Sequence, residues 1–357
     1  MTQRERQILR WIEEDPMISQ QELADKAGIT RSSAAVHISN LMKKGHIAGR
    51  GYIVRTAPYA VVVGGVNMDV GGRSYEGLIP RDSNPGRVRM SLGGVGRNIA
   101  HNMALMGVEV HLLTAFGDDV SAQKVAASCG ELNIDISHAL QVPGGATSTY
   151  LYIAGPSGDM ELAVADMEIY DHVTPAFLAS RAALLNSAQL VVVDTNIPAP
   201  SIQWLAENCT VPLFADPVST TKAEKLRPVL GRLHTLKPNR LEAELLSGVA
   251  ITDVDSAGRA AEALLETGLR RVFISMGGDG VLAADHSGKL HVPCIPGEMV
   301  NTTGCGDAFM AAIAWAYLEG TDLEWTARAG LAASSIAMES GETINPAMSV
   351  EGIRSRI

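Results

Sequence analysis

The stretch YAVVVGG, residues 59–65, decides the fold class, because it is a continuous apolar run ended by glycines. Such a run is typical of a strand that is buried on both faces of a parallel sheet. Helical patterns such as NIAHNMALMG and SAGRAAEALLETG separate this run from later ones of the same kind. The alternation predicts a doubly wound α/β sheet, whose ligands bind beyond the carboxyl ends of the strands. The later apolar runs are EVHLLTAF (109–116), QLVVVDT (189–195), VPLFADP (211–217), LHTLKP (233–238) and RVFISMGG (271–278).

Two polar segments interrupt this alternation, at residues 71–92 and 146–164. Both are rich in Gly and Ser, and both contain period-2 patches such as RVRMSL and STYLYIA. This pattern predicts a small β-lid that is separate from the main sheet. A lid over the strand ends would exclude water from a reactive phosphate.

Charge is unevenly distributed along the 357 residues, whose net charge is −10. Residues 1–57 hold nine Lys or Arg and six Asp or Glu, a net charge of +3, so the remaining 300 residues carry −13. The split predicts a small basic module attached to an acidic body. No run approaches the ~20 apolar residues of a membrane helix, and the charged start MTQRERQILRWIEED does not resemble a signal peptide. We therefore expect no membrane partner and a cytoplasmic location.

The first fifty-five residues have the pattern of a winged helix-turn-helix. Apolar spacing and a capping-box sequence predict helices over residues 4–14, 19–27 and 31–44. GHIAGRGYIV (45–54) then alternates around glycines, as a small β-hairpin does. The module at 1–55 resembles the DNA-binding modules of bacterial regulators, and a small helical protein-interaction domain is the alternative.

The resemblance implies that double-stranded DNA is a partner of this module. In such modules the start of the second motif helix reaches base edges, while basic residues hold phosphates. A charge of +3 supplies little electrostatic affinity, so we expect a homodimer. The candidates for base contacts are Arg31, Ser32, Ser33 and His37, and those for phosphate contacts are Lys43, Lys44 and Arg50.

Four loops beyond the predicted strands carry polar or glycine-rich motifs. Each also fits an ordinary structural interpretation, such as a turn, a helix start or a hairpin. The glycine-rich loops lack the G-x-G-x-x-G spacing of a Rossmann fingerprint. The loops are GGVNMD (64–69) with Asn67 and Asp69, SLGGVGRNIA (91–100), TLKPNRLEAE (235–244) with Asn239 and Glu242, and SMGGDGV (275–281).

A fifth motif, NTTGCGDAF (301–309), sets Asp307 behind two glycines at the start of the apolar run AFMAAIAWAYL. One interpretation is a turn that ends in an Asp helix cap. The other is an anion site made of backbone N–H groups at a helix N-terminus, with a general base beside it. The motif alone leaves both open.

In this order, GGVGRN (93–98) and TTGCGD (302–307) resemble the two signatures of the ribokinase-like (PfkB) family of carbohydrate and nucleoside kinases. The resemblance covers roughly residues 59–348, and the second signature matches D-T-x-G-A-G-D. SNPG (83–86), DPVS (216–219) and the loop after residue 233 are similar to the pseudouridine kinase branch. Members of that branch phosphorylate the ribose 5′-hydroxyl of pseudouridine, and enterobacterial relatives carry an N-terminal helix-turn-helix. The resemblance implies a ribokinase-like α/β/α sandwich with a small β-lid over residues 59–357.

The resemblance also implies a role for each matching residue. Asp307 would be the base, and the backbone N–H groups of Gly304, Cys305 and Gly306 would hold the transferring phosphoryl group of ATP. Glu242 and Asn239 would order Mg²⁺ through water. The candidates near the substrate are Asn67, Asp69, Gly94, Asn98 and Asp166, and those near the nucleotide are Asn239, Ser275, Gly277 and Gly280.

The chain departs from the family signature at two positions. Asn301 replaces an Asp that helps to hold an activating K⁺, which leaves a K⁺ dependence open. Cys305 replaces Ala, and a thiol at a helix N-terminus is expected to have a lowered pKa.

Two other functions fit the same motifs. One is a sugar-sensing transcription regulator with a kinase-like ligand domain, although a pure sensor needs no base at position 307. The other is a kinase of ribose or of another nucleoside. A ketose phosphate is disfavoured, because few basic residues lie in the predicted substrate loops.

Overall fold

The computed structural model describes residues 1–47 and 58–357. The chain divides into two compact units, Met1–Pro58 and Tyr59–Ile357. Residues 48–54 of the predicted hairpin, including Arg50, lie outside the described residues. Among the described residues, no helix combines the length and the apolar composition that crossing a bilayer requires.

The N-terminal unit contains three helices, α1 (Gln3–Glu14), α2 (Gln20–Ala27) and α3 (Arg31–Lys43). Reciprocal capping boxes begin α1 and α2, and Gly28 ends α2 in the left-handed conformation with a φ of 62°. The helices therefore begin and end close to the residues that the sequence predicts. They enclose a separate hydrophobic core, formed by Ile8, Leu9, Ile12, Ile18, Leu23, Ile38, Leu41 and Ile47.

The second unit combines a large sheet with a smaller one. Its strands are β1 (Tyr59–Val63), β2 (Asn67–Ser74), β3 (Gly86–Gly93), β4 (Glu109–Leu113), β5 (Ala115–Phe116), β6 (Leu140–Gln141), β7 (Thr149–Ala154), β8 (Met160–Asp166), β9 (Leu190–Asp194), β10 (Leu213–Asp216), β11 (Thr235–Leu236), β12 (Arg271–Ser275), β13 (Val281–Asp285) and β14 (Gly288–Val292). Its helices are α4 (Val95–Leu105), α5 (Val120–Glu131), α6 (Pro175–Ala179), α7 (Ala182–Ser187), α8 (Ala199–Asn208), α9 (Thr220–Ala223), α10 (Arg240–Ser247), α11 (Val254–Glu266), α12 (Cys305–Leu318), α13 (Leu323–Met338) and α14 (Val350–Arg354).

The large sheet has the strand order β14-β13-β12-β11-β10-β9-β1-β4. It is parallel from β4 to β12 and antiparallel at β13 and β14. Alternate residues of β1 enter different cores, Val61 and Val63 on one face and Ala60 and Val62 on the other. The first core is covered by α6, α7, α8, α10 and α11, and the second by α4, α12 and α13. The structure thus confirms the predicted three-layer α/β architecture.

The lid is a separate four-stranded sheet with the order β3-β2-β7-β8. Its strands come from the two polar segments of the sequence, together with a few residues on either side. Because side chains alternate along a strand, the pairing register divides the lid into two faces. One face carries exposed Val88, Met90, Leu151, Leu162 and Val164, and the other carries Asp69, Arg73, Arg87, Arg89 and Tyr152.

Candidate active site

Charged side chains lie at the carboxyl ends of three adjacent strands of the large sheet. Asp194 ends β9 and pairs in register with Asp216, which ends β10, while Lys237 follows β11 directly. All three side chains are buried. The Nζ atom of Lys237 lies 3.2 Å from Oδ2 of Asp216. None of the three was predicted from the sequence as a site residue, although the rule that ligands bind at the carboxyl ends of parallel strands points to them.

The N-terminus of α12 is open toward this charged group. Gly304 precedes the helix in the left-handed conformation, with a φ of 85°, and no side chain caps the helix. Asp307 is the third residue of α12, so the interpretation of this motif as an Asp helix cap is wrong. The first N–H groups of a helix have no acceptor within the helix, so they can donate to an anion. The N–H of Cys305 donates a 3.3 Å hydrogen bond to the carbonyl oxygen of Thr302.

The two glycines of this motif meet different surroundings. A Cβ atom on Gly304 would lie 2.1 Å from the carbonyl oxygen of Thr343, so backbone fills that space. A Cβ atom on Gly306 would meet only the Nζ atom of Lys237, at 3.3 Å. The ammonium group of Lys237 therefore lies beside the open side of Gly306, where it adds a positive charge to the helix N-terminus.

Asp307 joins the α12 motif to the glycine-rich loop at residues 91–100. Its Oδ2 atom accepts a 2.8 Å hydrogen bond from Nδ2 of Asn98 in α4. Burial and the nearby Asp216 carboxylate raise the pKa of Asp307 to about 8, although Asn98 and Lys237 act in the opposite direction. A carboxylate with a raised pKa is a stronger base than an ordinary Asp when it is ionised.

Lys237 stays charged despite its burial. Burial alone would lower its pKa, but the carboxylates of Asp216, Glu242 and Asp307 raise it above its usual value. A permanently charged ammonium group at this position favours negative charge in the open space beside Gly306.

The glycine-rich loops at residues 64–69 and 91–100 are joined by Asp194. Its Oδ2 atom accepts hydrogen bonds from the N–H groups of Gly65, at 2.8 Å, and Gly96, at 2.7 Å. Between these loops, Gly94 precedes α4 with a φ of 95°, and a Cβ atom there would lie 2.4 Å from the Gly65 carbonyl oxygen. The buried carboxylate therefore fixes the start of α4 and, through it, the position of Asn98.

Asp69 and Asn67 form a second polar pair on the first of these loops. The Asn67 amide donates a hydrogen bond to Oδ1 of Asp69. Burial raises the pKa of Asp69 to about 6, while the Asn67 hydrogen bond and the positive charge of Arg97 act to lower it. The pair presents a carboxylate that can accept hydrogen bonds from hydroxyl groups.

The structure does not bring Asp166 to the same place. Asp166 pairs with Thr149, which pairs with Met68, whereas Asp69 pairs with Ser91 and Tyr150. Because Met68 and Asp69 point to opposite faces, Asp166 lies on the opposite face of the lid from Asp69, where it is exposed. The assignment of Asp166 to the substrate site is therefore wrong for this conformation.

A cavity of about 430 Å³ extends from the α12 motif to the predicted nucleotide residues. Ser275, Gly277 and Gly280 line it together with Cys305 and Gly306. Gly280 has a φ of 90°, and a Cβ atom there would lie 2.1 Å from the Val292 carbonyl oxygen, so the turn requires glycine. The other walls of the cavity are mainly apolar and come from Ile295, Pro296, Met299, Phe309, Leu331 and Met338.

Asn239 and Glu242 form the capping box of α10. Oδ1 of Asn239 accepts from the Glu242 N–H at 2.9 Å, and Oε2 of Glu242 accepts from the Asn239 N–H at 2.8 Å. Burial and the charge of Asp216 raise the pKa of Glu242. These residues therefore have the helix-start role that the sequence left as an alternative. Asn239 also forms an isolated β-bridge with Ser275, which lines the cavity of about 430 Å³.

The arrangement suits a water-mediated Mg²⁺ better than direct ligation by the protein. In residues 1–47 and 58–357, no three His, Cys, Asp or Glu side chains converge to hold a metal ion. One oxygen of Glu242 is used in the capping box, and its buried carboxylate lies near Asp216. Mg²⁺ commonly keeps several waters and binds through one or two carboxylates and substrate phosphates, so these residues fit that mode.

The Cys305 thiol does not have the lowered pKa that its position at a helix N-terminus predicts. Burial and the neighbouring Asp307 carboxylate raise the pKa of Cys305. The thiol donates to the Ser334 carbonyl at 3.5 Å. The prediction of a lowered pKa is wrong, because burial and a nearby negative charge outweigh the helix N-terminus.

In the N-terminal unit, Arg31, Ser32, Ser33 and Lys43 are exposed on α3, and His37 is half-buried. Lys44 differs from them, because its Nζ atom lies 2.8 Å from the buried carboxylate of Glu5. That hydrogen bond lowers the pKa of Glu5 to about 2. The ion pair gives Lys44 a structural role, so it is a weaker candidate for a phosphate contact than Lys43.

Comparison with known proteins supports the same division. The family described as pfkB family carbohydrate kinase matches residues 57–349. The family described as winged helix-turn-helix DNA-binding matches residues 1–47. The chain is 39% identical to the pseudouridine kinase of Escherichia coli strain K12 over 306 residues, covering 85% of this chain and 98% of the relative. It is 37% identical to the uncharacterized sugar kinase YeiI of the same organism over 361 residues, which cover 100% of this chain and 99% of the relative.

Solved structures share the fold of the second unit. A putative sugar kinase from Clostridium perfringens gives a TM-score of 0.77 at 32% identity, with 84% of this chain and 96% of that one covered. Arabidopsis thaliana ribokinase, solved with ribose and ATP, gives a TM-score of 0.75 at 20% identity. The match covers 84% of this chain and 98% of the ribokinase chain. The chain is therefore a member of the pfkB family of carbohydrate kinases, phosphotransferases with an alcohol acceptor, and it carries an N-terminal winged helix-turn-helix unit.

Proposed function

We propose that this chain transfers the γ-phosphoryl group of ATP to the 5′-hydroxyl of a nucleoside, with pseudouridine as the preferred acceptor. The observation that carries the proposal is the position of Asp307 on the first turn of an uncapped helix. There it is held by Asn98 and lies in the field of Lys237. The 39% identity to a pseudouridine kinase over nearly all of that relative supports the acceptor.

The proposed reaction is an in-line displacement at phosphorus. Asp307 takes the proton of the acceptor hydroxyl as its oxygen forms a bond to the γ-phosphorus, and the bond from that phosphorus to the β–γ bridging oxygen breaks to release ADP. The open N–H groups at Gly304 and Gly306 and the Lys237 ammonium stabilise the charge on the phosphoryl oxygens. Most of the catalytic effect comes from positioning and charge, as in other phosphoryl transfers.

The nucleotide would occupy the cavity between the α12 motif and the turn at Gly277–Asp279. Its apolar walls suit a purine ring, and its charged end suits a triphosphate. When bound, Mg²⁺ would neutralise part of the phosphate charge. Glu242 and Asp216 would hold its water ligands, and K⁺ dependence stays open because Asn301 lacks a charge.

On the acceptor side, Asp69 and Asn67 would bind ribose hydroxyl groups, while Asn98 would orient both the sugar and Asp307. Gly94 supports this side indirectly, because the absence of a side chain lets its backbone lie directly against Gly65 at the start of α4. Ribose and other nucleosides offer the same hydroxyl groups, so the choice of pseudouridine rests on the similarity to the relative.

A substrate panel tests the proposal. The full chain is incubated with Mg-ATP and, separately, with pseudouridine, uridine, other nucleosides, ribose and ribose 5-phosphate, and ADP release is measured. We expect the highest kcat/KM with pseudouridine and a phosphomonoester at its 5′-oxygen by NMR. ADP release with none of these acceptors would overturn the enzymatic proposal, and higher kcat/KM with ribose would overturn the acceptor.

Asp307→Asn provides the control, because it keeps the side-chain shape and removes the base. We expect near-normal acceptor binding and a loss of about 10²–10⁴-fold in kcat. Retention of most of the turnover would remove Asp307 from the role of base.

We also propose that the N-terminal unit binds double-stranded DNA as part of a homodimer. Its support is the exposure of Arg31, Ser32 and Ser33 at the start of α3, where such modules contact bases. The exposed apolar face of the lid offers a surface that a second copy would cover. Expected results are a dimer by light scattering, which Leu162→Asp weakens, and a DNA affinity that Arg31→Ala reduces.

DNA binding without phosphoryl transfer would favour the alternative of a sugar-sensing regulator. In that case each acceptor of the panel should alter DNA affinity while ATP is not consumed. The two measurements on one preparation therefore separate an enzyme, a regulator and a protein with both activities.

A further inference from the structure

Three arginines lie together on one face of the lid. Arg73 of β2 is directly opposite Arg87 of β3, and Arg89 lies two residues further along β3, opposite Gly71. Directly paired side chains in a sheet have Cβ atoms about 5 Å apart, and residues two apart on a strand are about 7 Å apart. The three guanidinium groups therefore share one small area, so the scarcity of basic residues that disfavours a ketose phosphate does not extend to the lid.

This arrangement lacks a compensating negative charge. In the part of the chain that the structure describes, none of the three arginines forms an ion pair. Arg73 donates a hydrogen bond to the Pro156 carbonyl at the turn between β7 and β8. Like charges directly opposite each other destabilise a sheet, and a bound anion would remove that cost.

The arginines surround a cavity of about 590 Å³. Two tyrosines also line it, Tyr75, which is 66% exposed, and Tyr152. The Tyr152 ring lies against Gly71, where a Cβ atom would lie 2.4 Å from its hydroxyl oxygen. Gly71 therefore allows the ring to lie against the floor of the cavity, where a sugar or base could contact it.

The cavity is separate from the one at α12, since the two share no lining residue. It opens on the same face of the lid as Asp69. On β2, Asp69 lies two residues before Gly71 and four before Arg73, so all three point to the same face. The charged side chains that line it are all arginines, whereas the α12 site combines hydrogen-bond donors with the carboxyl group of Asp307.

We propose that this arginine pocket binds the phosphate group of a nucleoside or sugar monophosphate. Guanidinium groups bind phosphate oxygens through paired, charge-assisted hydrogen bonds, and three of them suit a dianion. The tyrosines contact the ring of the same ligand. The inference does not rest on the proposed reaction, because binding can be measured without ATP.

The test is calorimetric binding of uridine 5′-monophosphate, ribose 5-phosphate, inorganic phosphate and uridine to the full chain without nucleotide. We expect binding of the three phosphates and none of uridine in this pocket. Arg87→Ala and Arg89→Ala should each weaken phosphate binding by about tenfold or more. Arg259→Ala, which removes an exposed arginine of α11, is the control and should leave binding unchanged.

Competition assigns the site. A non-hydrolysable ATP analogue should occupy the α12 cavity and leave uridine 5′-monophosphate binding intact. Loss of that binding with the analogue, together with full binding by both lid variants, would place the ligand at α12 and overturn the proposal. Unchanged melting temperatures of the two variants would show that lost binding does not reflect unfolding.

Discussion

Asp307 has neighbours that act on its pKa in opposite directions. Burial and Asp216 raise the pKa, whereas the Asn98 amide and Lys237 stabilise the ionised form. The balance leaves the carboxyl with a pKa of about 8, so a large share of the free protein holds a proton there at neutral pH. A base must be ionised to accept a proton, so activity should follow the titration of this one group.

We predict that kcat/KM rises with pH up to about 8, far above the range in which an ordinary Asp titrates. Asn98→Ala removes the hydrogen bond that lowers the pKa, so the rise should move to higher pH by about one pH unit. The measurement is kcat/KM from pH 5 to 10 at saturating Mg-ATP. Asn208→Ala, at the end of α8, should leave the profile unchanged, and a wild-type profile that is flat from pH 5 to 8 contradicts the prediction.

At this scale the sequence predicts where the motif residues lie in the fold better than it predicts their environment. Gly304, Gly306 and Asp307 follow from the motif, because their spacing fixes their positions on one helix turn. The pKa of Cys305 and the role of Lys237 depend on residues far away in sequence, such as Asp216. Asp166 was misplaced because its face depends on the register between β7 and β8, which shifts between Ile153 and Ala154.

The start of α12 is the element on which the site depends most. Its two glycines serve different purposes, because one is enclosed by backbone and the other faces open space beside Lys237. Substitution by alanine at the two positions therefore separates folding from catalysis.

We predict that Gly304→Ala destabilises the protein by about 2 kcal/mol or more, since it combines a left-handed φ with a clash against Thr343. Gly306→Ala should keep the melting temperature, yet its methyl group would intrude on the phosphate space and lower kcat/KM by about 10²-fold. Thermal unfolding and ADP release measure the two effects. Gly341→Ala, at an open position, should change neither, and equal loss of stability in both test variants would argue against this division.

The start of α10 combines capping with a proposed role near the metal. Glu242→Gln keeps an oxygen for the capping box but removes the charge, so we predict an unchanged melting temperature and a higher Mg²⁺ requirement. Glu242→Ala also loses the cap and should cost a further ~1 kcal/mol of stability. Titration of kcat against Mg²⁺ measures the metal requirement of the two variants, and thermal unfolding measures their stability. An unaltered Mg²⁺ dependence in the Gln variant would limit Glu242 to its structural role.

At the scale of the whole molecule, the two units have separate hydrophobic cores. The apolar patterns predict both units, since each parallel strand of the large sheet follows from a local apolar run. The lid sheet needed the structure for its strand order, because β2 pairs with β7 across about eighty residues.

We predict that a chain of residues 58–357 keeps the melting temperature and kcat of the kinase unit, because among the described residues the two units have separate cores. The same truncation should abolish DNA binding. The full chain with Arg31→Ala is the matched control, with intact turnover and reduced DNA affinity. Loss of turnover on truncation would show that the N-terminal unit supports catalysis.

The separation of the lid from the large sheet has a consequence for how such a protein diversifies. The groups that we propose to act on the phosphoryl group lie at three strand ends and one helix start. The lid can exchange its side chains without disturbing them. New acceptors can therefore arise through changes confined to two short stretches of chain, while the chemistry is inherited intact.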